Sequence, residues 1–459
     1  MSEMNETTAM SSPSQDTASL LAEKNSQSFS EYISGFWVRI KSGDIGSLPI
    51  VLGLILLVII FQSQNENFLT ARNFVSLILQ MAGYMTIAIG VVFVLLLGEI
   101  DLSIGYVSAV AAVLVALLLR DPLAIPGIGS LLATLGFESN PWPWYIVVPL
   151  ALGLVALIGV VQGLIITKFQ LPSFVVTLAG FLFWNGVVLI LIGGAGTVII
   201  QDKVVIGIAN FFLPDFAFLP GSGFTTNPEL FEGATFSSNV SWILAITVIV
   251  LYAVYRLLKV RSKRASGVST LPMPIVIVEI LGIAFFISAV VYVANQDRGL
   301  PMIAIILVLL LVGFSFLAMR TKFGRYVYAV GGNMEAARRA GISVDGIRIR
   351  VFMISSLMAG MGGIVLASRL RSVDTAAGGG NLLLNSIAAA VIGGTSLFGG
   401  SGRVSSAFLG ALVIATVENG MGLLGLSAGV KFVVTGLVLL AAVLIDAITR
   451  RGRKNSGIA

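Results

Sequence analysis

Long apolar runs separated by short polar segments occupy most of the chain between residues 47 and 449. Many of them approach the length of about 20 residues with which a helix crosses a lipid bilayer. The pattern predicts an all-α, polytopic transmembrane helix bundle of about 12 spans, within a range of about 10–12. The runs lie at 47–62, 74–97, 102–120, 144–167, 173–193, 241–258, 273–295, 301–319, 350–367, 385–398, 404–420 and 430–449. The short run 385–398 is interpreted as a half-span or a re-entrant element.

The composition excludes a soluble globular enzyme. Only 11% of the 459 residues are charged and 57% are apolar, whereas an average soluble domain has about 25% charged residues. Cysteine and histidine are both absent, which removes thiolate nucleophiles, imidazole bases and the commonest metal ligands. We therefore expect no catalytic cysteine or histidine, no metal site and no cofactor.

The net charge of +6 comes from basic clusters beside the apolar runs. Lysine and arginine concentrate in cytoplasmic loops of membrane proteins, so this charge does not call for a nucleic acid partner. The clusters lie at 39–41, 256–264, 320–350 and 450–454. Six apolar runs lie between the first and second clusters, two between the second and third, and four between the third and fourth. Because each number is even, the pattern predicts that all four clusters lie on the same side of the membrane. We expect a multi-pass plasma membrane protein with both termini cytoplasmic.

These boundaries divide the chain into a membrane domain and two tails. The membrane domain covers 47–449. Residues 1–46 are predicted to be a cytoplasmic tail, disordered because it is polar, that ends in an interfacial helix. Residues 450–459 are predicted to be a basic cytoplasmic tail. The long external loop 194–240 is too apolar for a solvated linker, so we expect it to pack on the outer face or to receive a partner.

Two carboxylates stand between two apolar runs in a first motif that we interpret as a tightly turned helix pair. In one reading, the acids cap the next helix by accepting hydrogen bonds from free backbone N–H groups. In the other, Glu99 and Asp101 form a proton or cation site, because acids at membrane depth are usually functional. Capping is favoured, because both acids lie at a span boundary. The motif residues are Gly98, Glu99, Asp101, Ser103 and Gly105.

A second motif lies in the most basic loop, 320–350. Asn333 is a good N-cap, Glu335 lies in the first turn, and Gly341 is a good C-cap residue. The spacing predicts an exposed helix of about two turns. It is interpreted either as an ordinary amphipathic loop helix or as a docking helix for a cytoplasmic subunit. The candidate docking residues are Asn333, Glu335, Ala336, Ala337, Arg338 and Gly341.

A third motif is a helix of small residues that ends in a glycine-rich turn. The turn lacks the G-x-x-x-x-G-K-[ST] pattern of a phosphate-binding loop, and that pattern occurs nowhere in the chain. We interpret it as a site of close helix packing, with Arg403 at the membrane interface. Its residues are Gly393, Gly394, Gly399, Gly400 and Arg403.

Isolated polar residues inside the spans either satisfy neighbouring polar groups or line a polar path. The pathway candidates are Gln80, Gln162, Asn185 and Asn419, and Glu279 and Glu418 also lie within apolar runs. Glycine pairs with the spacing of membrane helix contacts occur at Gly159–Gly163 and Gly425–Gly429. For each single pair, we expect simple tolerance of glycine rather than a helix contact.

The motifs together resemble a known family. Glu335-Ala336-Ala337 followed by Gly341 resembles the EAA loop of binding-protein-dependent ABC importer permeases. The order of the stretches 98–105, 329–333 and 391–403 is similar to that of ribose/xylose-type sugar permeases, and the resemblance covers about 48–448. Three spans, rather than one, separate the outer loop from the docking loop, which resembles the xylose-type branch.

This resemblance implies a function and a set of partners. The chain would be the permease subunit of an ATP-binding-cassette importer for a monosaccharide, a pentose such as xylose, in the bacterial inner membrane. The implied partners are a cytoplasmic ATPase docked at 333–341, an external sugar-binding protein and a second permease copy in a homodimer. Two alternatives stay open: a secondary transporter coupled to ions through Glu99, Asp101 or Glu279, and a receptor or scaffold without transport.

Overall fold

The computed structural model describes residues 48–124, 129–134, 136, 140–213, 217–219, 223–225, 237–267, 270–438, 440 and 444. The predicted N-terminal tail with its interfacial helix, and the C-terminal tail, lie outside these residues. Within them, every predicted apolar run coincides with an apolar helix. Eight of these helices have the length and hydropathy of a membrane span, and four are shorter. The predicted polytopic helical fold is confirmed.

The helices follow one another with short connections. They are α1 (Leu48–Gln64), α2 (Ala71–Leu96), α3 (Ile104–Leu118), α4 (Gly129–Thr134), α5 (Trp144–Lys168), α6 (Ser173–Ile192), α7 (Lys203–Asn210), α8 (Ser237–Ala265), α9 (Met273–Ala294), α10 (Met302–Arg320), α11 (Lys322–Gly332), α12 (Met334–Arg339), α13 (Val344–Leu370), α14 (Asn381–Ile392), α15 (Ser405–Leu423) and α16 (Ala428–Val438).

The run predicted at 385–398 is displaced in the structure. Helix α14 begins at Asn381, four residues earlier, and has only 12 residues. It ends at Ile392 because two glycines follow, and Gly394 has a left-handed φ of +101° that a helix interior does not adopt. The prediction of a short, incomplete span at this position therefore holds, with different bounds.

The larger of two compact units comprises residues 46–238 and 293–459. Helix α13 is central in it and packs against α2, α3, α5 and α7. Within the most apolar 18-residue windows, 83% of α2 and 78% of α13 is buried, against 28% of α5 and 22% of α6. Helices α2 and α13 therefore form the inner layer, and α5 and α6 carry exposed apolar faces suited to lipid.

The pair Gly159–Gly163 is a helix contact, so the expectation of simple tolerance is wrong there. A Cβ on Gly159 would overlap the backbone of Phe352, and one on Gly163 would lie 2.8 Å from the Cα of Ile349. The small residues let α5 approach the backbone of α13, as is common between membrane helices. A Cβ on Gly425 or Gly429 would meet no described atom within 4 Å, so simple tolerance holds for that pair.

The smaller unit, residues 239–292 among those described, is the hairpin of α8 and α9. An ion pair joins its two helices, with Arg256 Nη2 lying 2.5 Å from Glu279 Oε2. Tyr252 also donates a hydrogen bond to Glu279, over 2.7 Å. Two donors therefore hold Glu279, the acid considered for ion coupling.

The long loop predicted at 194–240 contains short elements that the helical pattern does not predict. Strand β1 (Thr197–Ile199) pairs antiparallel with β4 (Ser372–Asp374), and β2 (Ala217–Leu219) pairs with β3 (Gly223–Thr225). Helix α7 packs on α13, where the Ala209 N–H donates to Ser368 Oγ over 2.9 Å. The first part of the loop thus packs on α13. Much of 214–236 lies outside the described residues.

Candidate functional site

Three of the predicted motifs meet at one end of the bundle, in a contact that we call the glycine junction (Gly98, Gly331, Gly399 and Gly400). The Gly400 N–H donates to the Leu96 carbonyl over 2.9 Å. A Cβ on Gly399 would lie 2.7 Å from the Gly331 carbonyl oxygen and 2.9 Å from the Gly98 nitrogen. Backbones at these distances leave no room for a side chain, so the turns lock α2, α11 and the segment after α14 together.

Helix α12 has both caps that its sequence predicts. Asn333 Oδ1 accepts a hydrogen bond from the Ala336 N–H over 2.9 Å. At the other end Gly341 has a φ of +81°, and its N–H donates to the Arg338 carbonyl. Ala337 is buried, whereas Glu335 is exposed and pairs with Arg338 and Arg339 within the helix. The helix is a rigid, charged protrusion beside the glycine junction.

Glu99 forms a buried ion pair with Arg348, a partner from α13 that the sequence does not reveal. Their side chains are 8% and 11% exposed. Burial raises the pKa of Glu99, and the guanidinium of Arg348 opposes that shift. The pair connects the turn after α2 to the first turns of α13, which follows α12 directly.

Asp101 lies deeper and is held by hydroxyl groups. It accepts hydrogen bonds from the Ser103 N–H, from Ser103 Oγ over 2.6 Å and from Ser355 Oγ over 2.8 Å. Burial raises the pKa of Asp101. Ser103 Oγ also lies 3.0 Å from Gln162 Oε1. The side chain of Ser103 makes no cap of α3, but Asp101 accepts from the backbone N–H at the start of that helix, so the network holds the helix start and also joins helices.

The other candidates are dispersed. Asn419 exchanges two amide hydrogen bonds with Asn73, at 2.8 and 2.9 Å, and both residues are buried. Gln80 is half-buried and donates to Ser76, and Asn185 is half-buried on α6. Arg403 is exposed after the glycine-rich turn. A Cβ on Gly393 would overlap the backbone of Ser406, and one on Gly105 would lie 2.6 Å from the Gly378 carbonyl oxygen.

A polar cluster within the spans unites residues that the motif analysis does not connect. Glu418 on α15 accepts hydrogen bonds from Tyr84 Oη over 2.7 Å and from Asn385 Nδ2 over 2.5 Å. Arg369 lies close enough to interact electrostatically with Tyr84 and Glu418. Tyr84 also lines a cavity of about 300 Å³ between α2, α3, α13 and the start of α14. Ser76, Gln80 and Tyr84 stand at intervals of four on α2, a signal that was available in the sequence.

Comparison with known proteins identifies the family. The model of a family described as the permease component of the branched-chain amino acid transport system matches residues 73–443. That range is well over half of the chain. The chain belongs to this permease family. It is therefore a multi-pass membrane protein and a transport component rather than an enzyme.

Curated relatives of this permease match over nearly their whole length. The xylose transport system permease of Escherichia coli K12 is 32% identical over 91% of this chain and 96% of the relative. The corresponding permease of Haemophilus influenzae is 30% identical over 89% and 98%. The ribose import permease of Bacillus subtilis is 30% identical over 88% and 94%. No solved structure matches the chain.

The contacts of its acidic residues do not favour this permease as an ion-coupled secondary transporter. Glu99 is paired with Arg348, Glu279 with Arg256, and Asp101 accepts three hydrogen bonds. An acid that carries ions must exchange its partner during transport, and these partners are fixed side chains of the permease itself. The alternative through Glu99, Asp101 or Glu279 therefore has no support in the geometry.

The Asn73–Asn419 pair predicts a stability effect rather than a transport effect. Asn419→Ala is expected to destabilise the permease by about 1–3 kcal/mol, because it leaves a buried amide without its partner. The measurement is thermal unfolding of the purified protein in detergent. Asn73→Leu and the double variant Asn73→Leu/Asn419→Leu complete the comparison. Because Asn73 also donates to the Phe68 carbonyl, the double variant still costs stability, but less than the sum of the two single changes. A loss of stability in the double variant equal to that sum would contradict a direct Asn73–Asn419 interaction.

Proposed function

We propose that this chain is the membrane-spanning subunit of an ATP-driven importer for a monosaccharide, with a pentose such as xylose as the substrate. The observation that carries the proposal is the 32% identity to a xylose transport permease over 91% of the chain. The similarity to a ribose import permease supports the same class of substrate. The sequence has no phosphate-binding loop pattern, so ATP would be hydrolysed by a separate cytoplasmic subunit.

We assign the docking of that ATPase to α12. Its caps give it a defined shape, and its charged residues Glu335, Arg338 and Arg339 are exposed. Only four residues, 340–343, separate it from α13, the central helix. A push on α12 would therefore reach α13 directly and, through Arg348, the turn after α2. A packed bundle with two stable arrangements responds to such a push as a switch.

The remaining partners complete the proposed transporter. An extracytoplasmic sugar-binding protein would deliver the sugar at the face that carries β1 and β4, opposite α12. A second copy of this permease would form a homodimer around the pathway. The protein would reside in the bacterial inner membrane with both termini cytoplasmic, as the positions of the basic clusters indicate.

Reversing the charge of Glu335 tests the docking role. In proteoliposomes that contain the complete transporter, Glu335→Lys is expected to reduce the rate of ATP-driven xylose uptake at least tenfold. A tenfold change corresponds to about 1.4 kcal/mol of interaction free energy between α12 and the ATPase. The reason is that the exposed carboxylate presents its charge to the ATPase. Uptake and sugar-stimulated ATP hydrolysis are both measured.

The matched control is Glu66→Lys, the same charge reversal at an exposed position before α2. It should transport at the wild-type rate. Normal uptake by Glu335→Lys would remove α12 from the coupling path. If the wild-type complex imported sugar with an ion gradient and no ATP, the proposed class of transporter would be wrong.

A further inference from the structure

The cluster of Tyr84, Asn385, Glu418 and Arg369 has no role in the glycine junction or in α12. Each residue comes from a different helix, namely α2, α14, α15 and α13. Tyr84 lies in the middle of α2, well inside a membrane-spanning segment. Ionisable residues at such depth are costly and usually face a ligand or an aqueous path.

The hydrogen bonds within the cluster leave an acceptor free. Asn385 is fully buried, and its Nδ2 donates to Glu418 over 2.5 Å. Its Oδ1 has no hydrogen-bond partner among the described residues. Buried polar atoms are normally satisfied, so the cluster contains a position suited to an additional donor, such as a hydroxyl group.

The neighbouring cavity provides the space for a ligand. Its volume of about 300 Å³ lies at the lower end of the range of about 300–1,000 Å³ for small-molecule sites. Tyr84 belongs to both the cluster and the cavity wall, and Ser108, Asp374 and Asn381 add further polar groups to that wall. The lining is otherwise mostly apolar, from alanine, leucine, valine and glycine residues. Polar groups set among apolar residues in a partly open cavity are typical of a small-molecule site.

We propose that Tyr84, Asn385 and Glu418 bind hydroxyl groups of the transported sugar and that the adjoining cavity accommodates the sugar during transport. This inference rests on the proposed function as a monosaccharide importer. The carboxylate, the amide oxygen and the phenol oxygen, whose proton is donated to Glu418, accept hydrogen bonds from sugar hydroxyls, while Arg369 donates to sugar oxygens.

The test compares xylose with its monodeoxy analogues in proteoliposomes that contain the complete ATP-driven transporter. The probes are radiolabelled xylose and a set of deoxyxyloses, each of which lacks one hydroxyl. Glu418→Gln and Tyr84→Phe are expected to raise the KM for xylose at least tenfold and the KM for at least one deoxy analogue much less. A site that binds a hydroxyl discriminates strongly against an analogue without it, and removing the protein partner removes that discrimination. Glu66→Gln, an exposed carboxylate, is the control and should leave both KM values unchanged.

The outcomes are distinguishable. The first outcome is that the wild-type transporter moves xylose and that both variants keep the wild-type ratio between the KM for each deoxy analogue and the KM for xylose. In that case the cluster does not bind sugar, and only this inference fails. If the wild-type transporter moves no monosaccharide, the proposed function fails first. Should Glu418→Gln not assemble, Tyr84→Phe carries the same test, because it removes a single oxygen. As an independent check, Ala112→Met, which places a flexible side chain at the cavity wall, should also raise the KM for xylose, and an unchanged KM would count against the cavity.

Discussion

Replacing Gly331 by alanine is expected to destabilise the folded permease strongly. A Cβ at this position would overlap the Leu96 carbonyl oxygen and lie 2.9 Å from the Gly400 nitrogen. Both obstacles are backbone atoms, and they are joined by a hydrogen bond of 2.9 Å. No side chain can rotate away, so α11 would have to separate from α2. Overpacking in a close-packed interior costs about 1–3 kcal/mol and occasionally more, and a rigid backbone obstacle belongs at the upper end of that range.

The adjacent Gly332 offers a matched control. A Cβ there would meet no described atom within 4 Å, and alanine is favoured over glycine in a helix by about 1 kcal/mol. Gly332→Ala should therefore match or exceed the wild-type thermal stability in detergent, whereas Gly331→Ala should yield little monodisperse protein. Equal yields and melting temperatures for the two variants would mean that the glycine junction does not hold the bundle together.

The helices are largely predictable because lipid imposes a single rule along the whole chain. Each span must satisfy its own backbone and present apolar side chains for about 20 residues, so the apolar runs coincide with the helices. The rule is weaker where the backbone is enclosed by protein. Helix α14 starts at Asn381 rather than at residue 385, directly after Gly380, whose left-handed φ of +59° ends the preceding loop.

The contacts that build the site are less predictable, because they join distant parts of the chain. Arg348 is 249 residues from Glu99, and Glu418 is 334 residues from Tyr84. Nothing local marks these pairs, and Arg348 is indistinguishable in sequence from its exposed basic neighbours. The glycine motifs are visible individually, but only the fold shows that they meet. The caps of α12 are the opposite case, since Asn333 and Gly341 act within a few residues and are readable directly.

Removing Arg348 is expected to have the second large effect. Arg348→Gln leaves the Glu99 carboxylate buried without its counter-charge, and breaking such a pair typically costs about 3–5 kcal/mol. Transport activity should fall with the loss of folded protein. The double variant Glu99→Gln/Arg348→Gln should recover most of the stability, because it contains no unpaired charge. Thermal unfolding of the two variants and the wild type measures the difference.

The pH dependence of this variant separates an electrostatic cause from lost packing. Burial already raises the pKa of Glu99 in the wild type, and Arg348 opposes that shift. Without Arg348, the folded-state pKa rises further above the unfolded value of about 4.3. A group of this kind stabilises the folded state below its unfolded pKa, and that contribution is lost as the pH rises through the folded pKa. Arg348→Gln should therefore melt progressively earlier, relative to the wild type, as the pH rises above the unfolded pKa of about 4.3, while the double variant should not. Parallel pH profiles for the single and double variants would show that Arg348 acts by its bulk, and the turn after α2 would then be attached to α13 by packing rather than by charge.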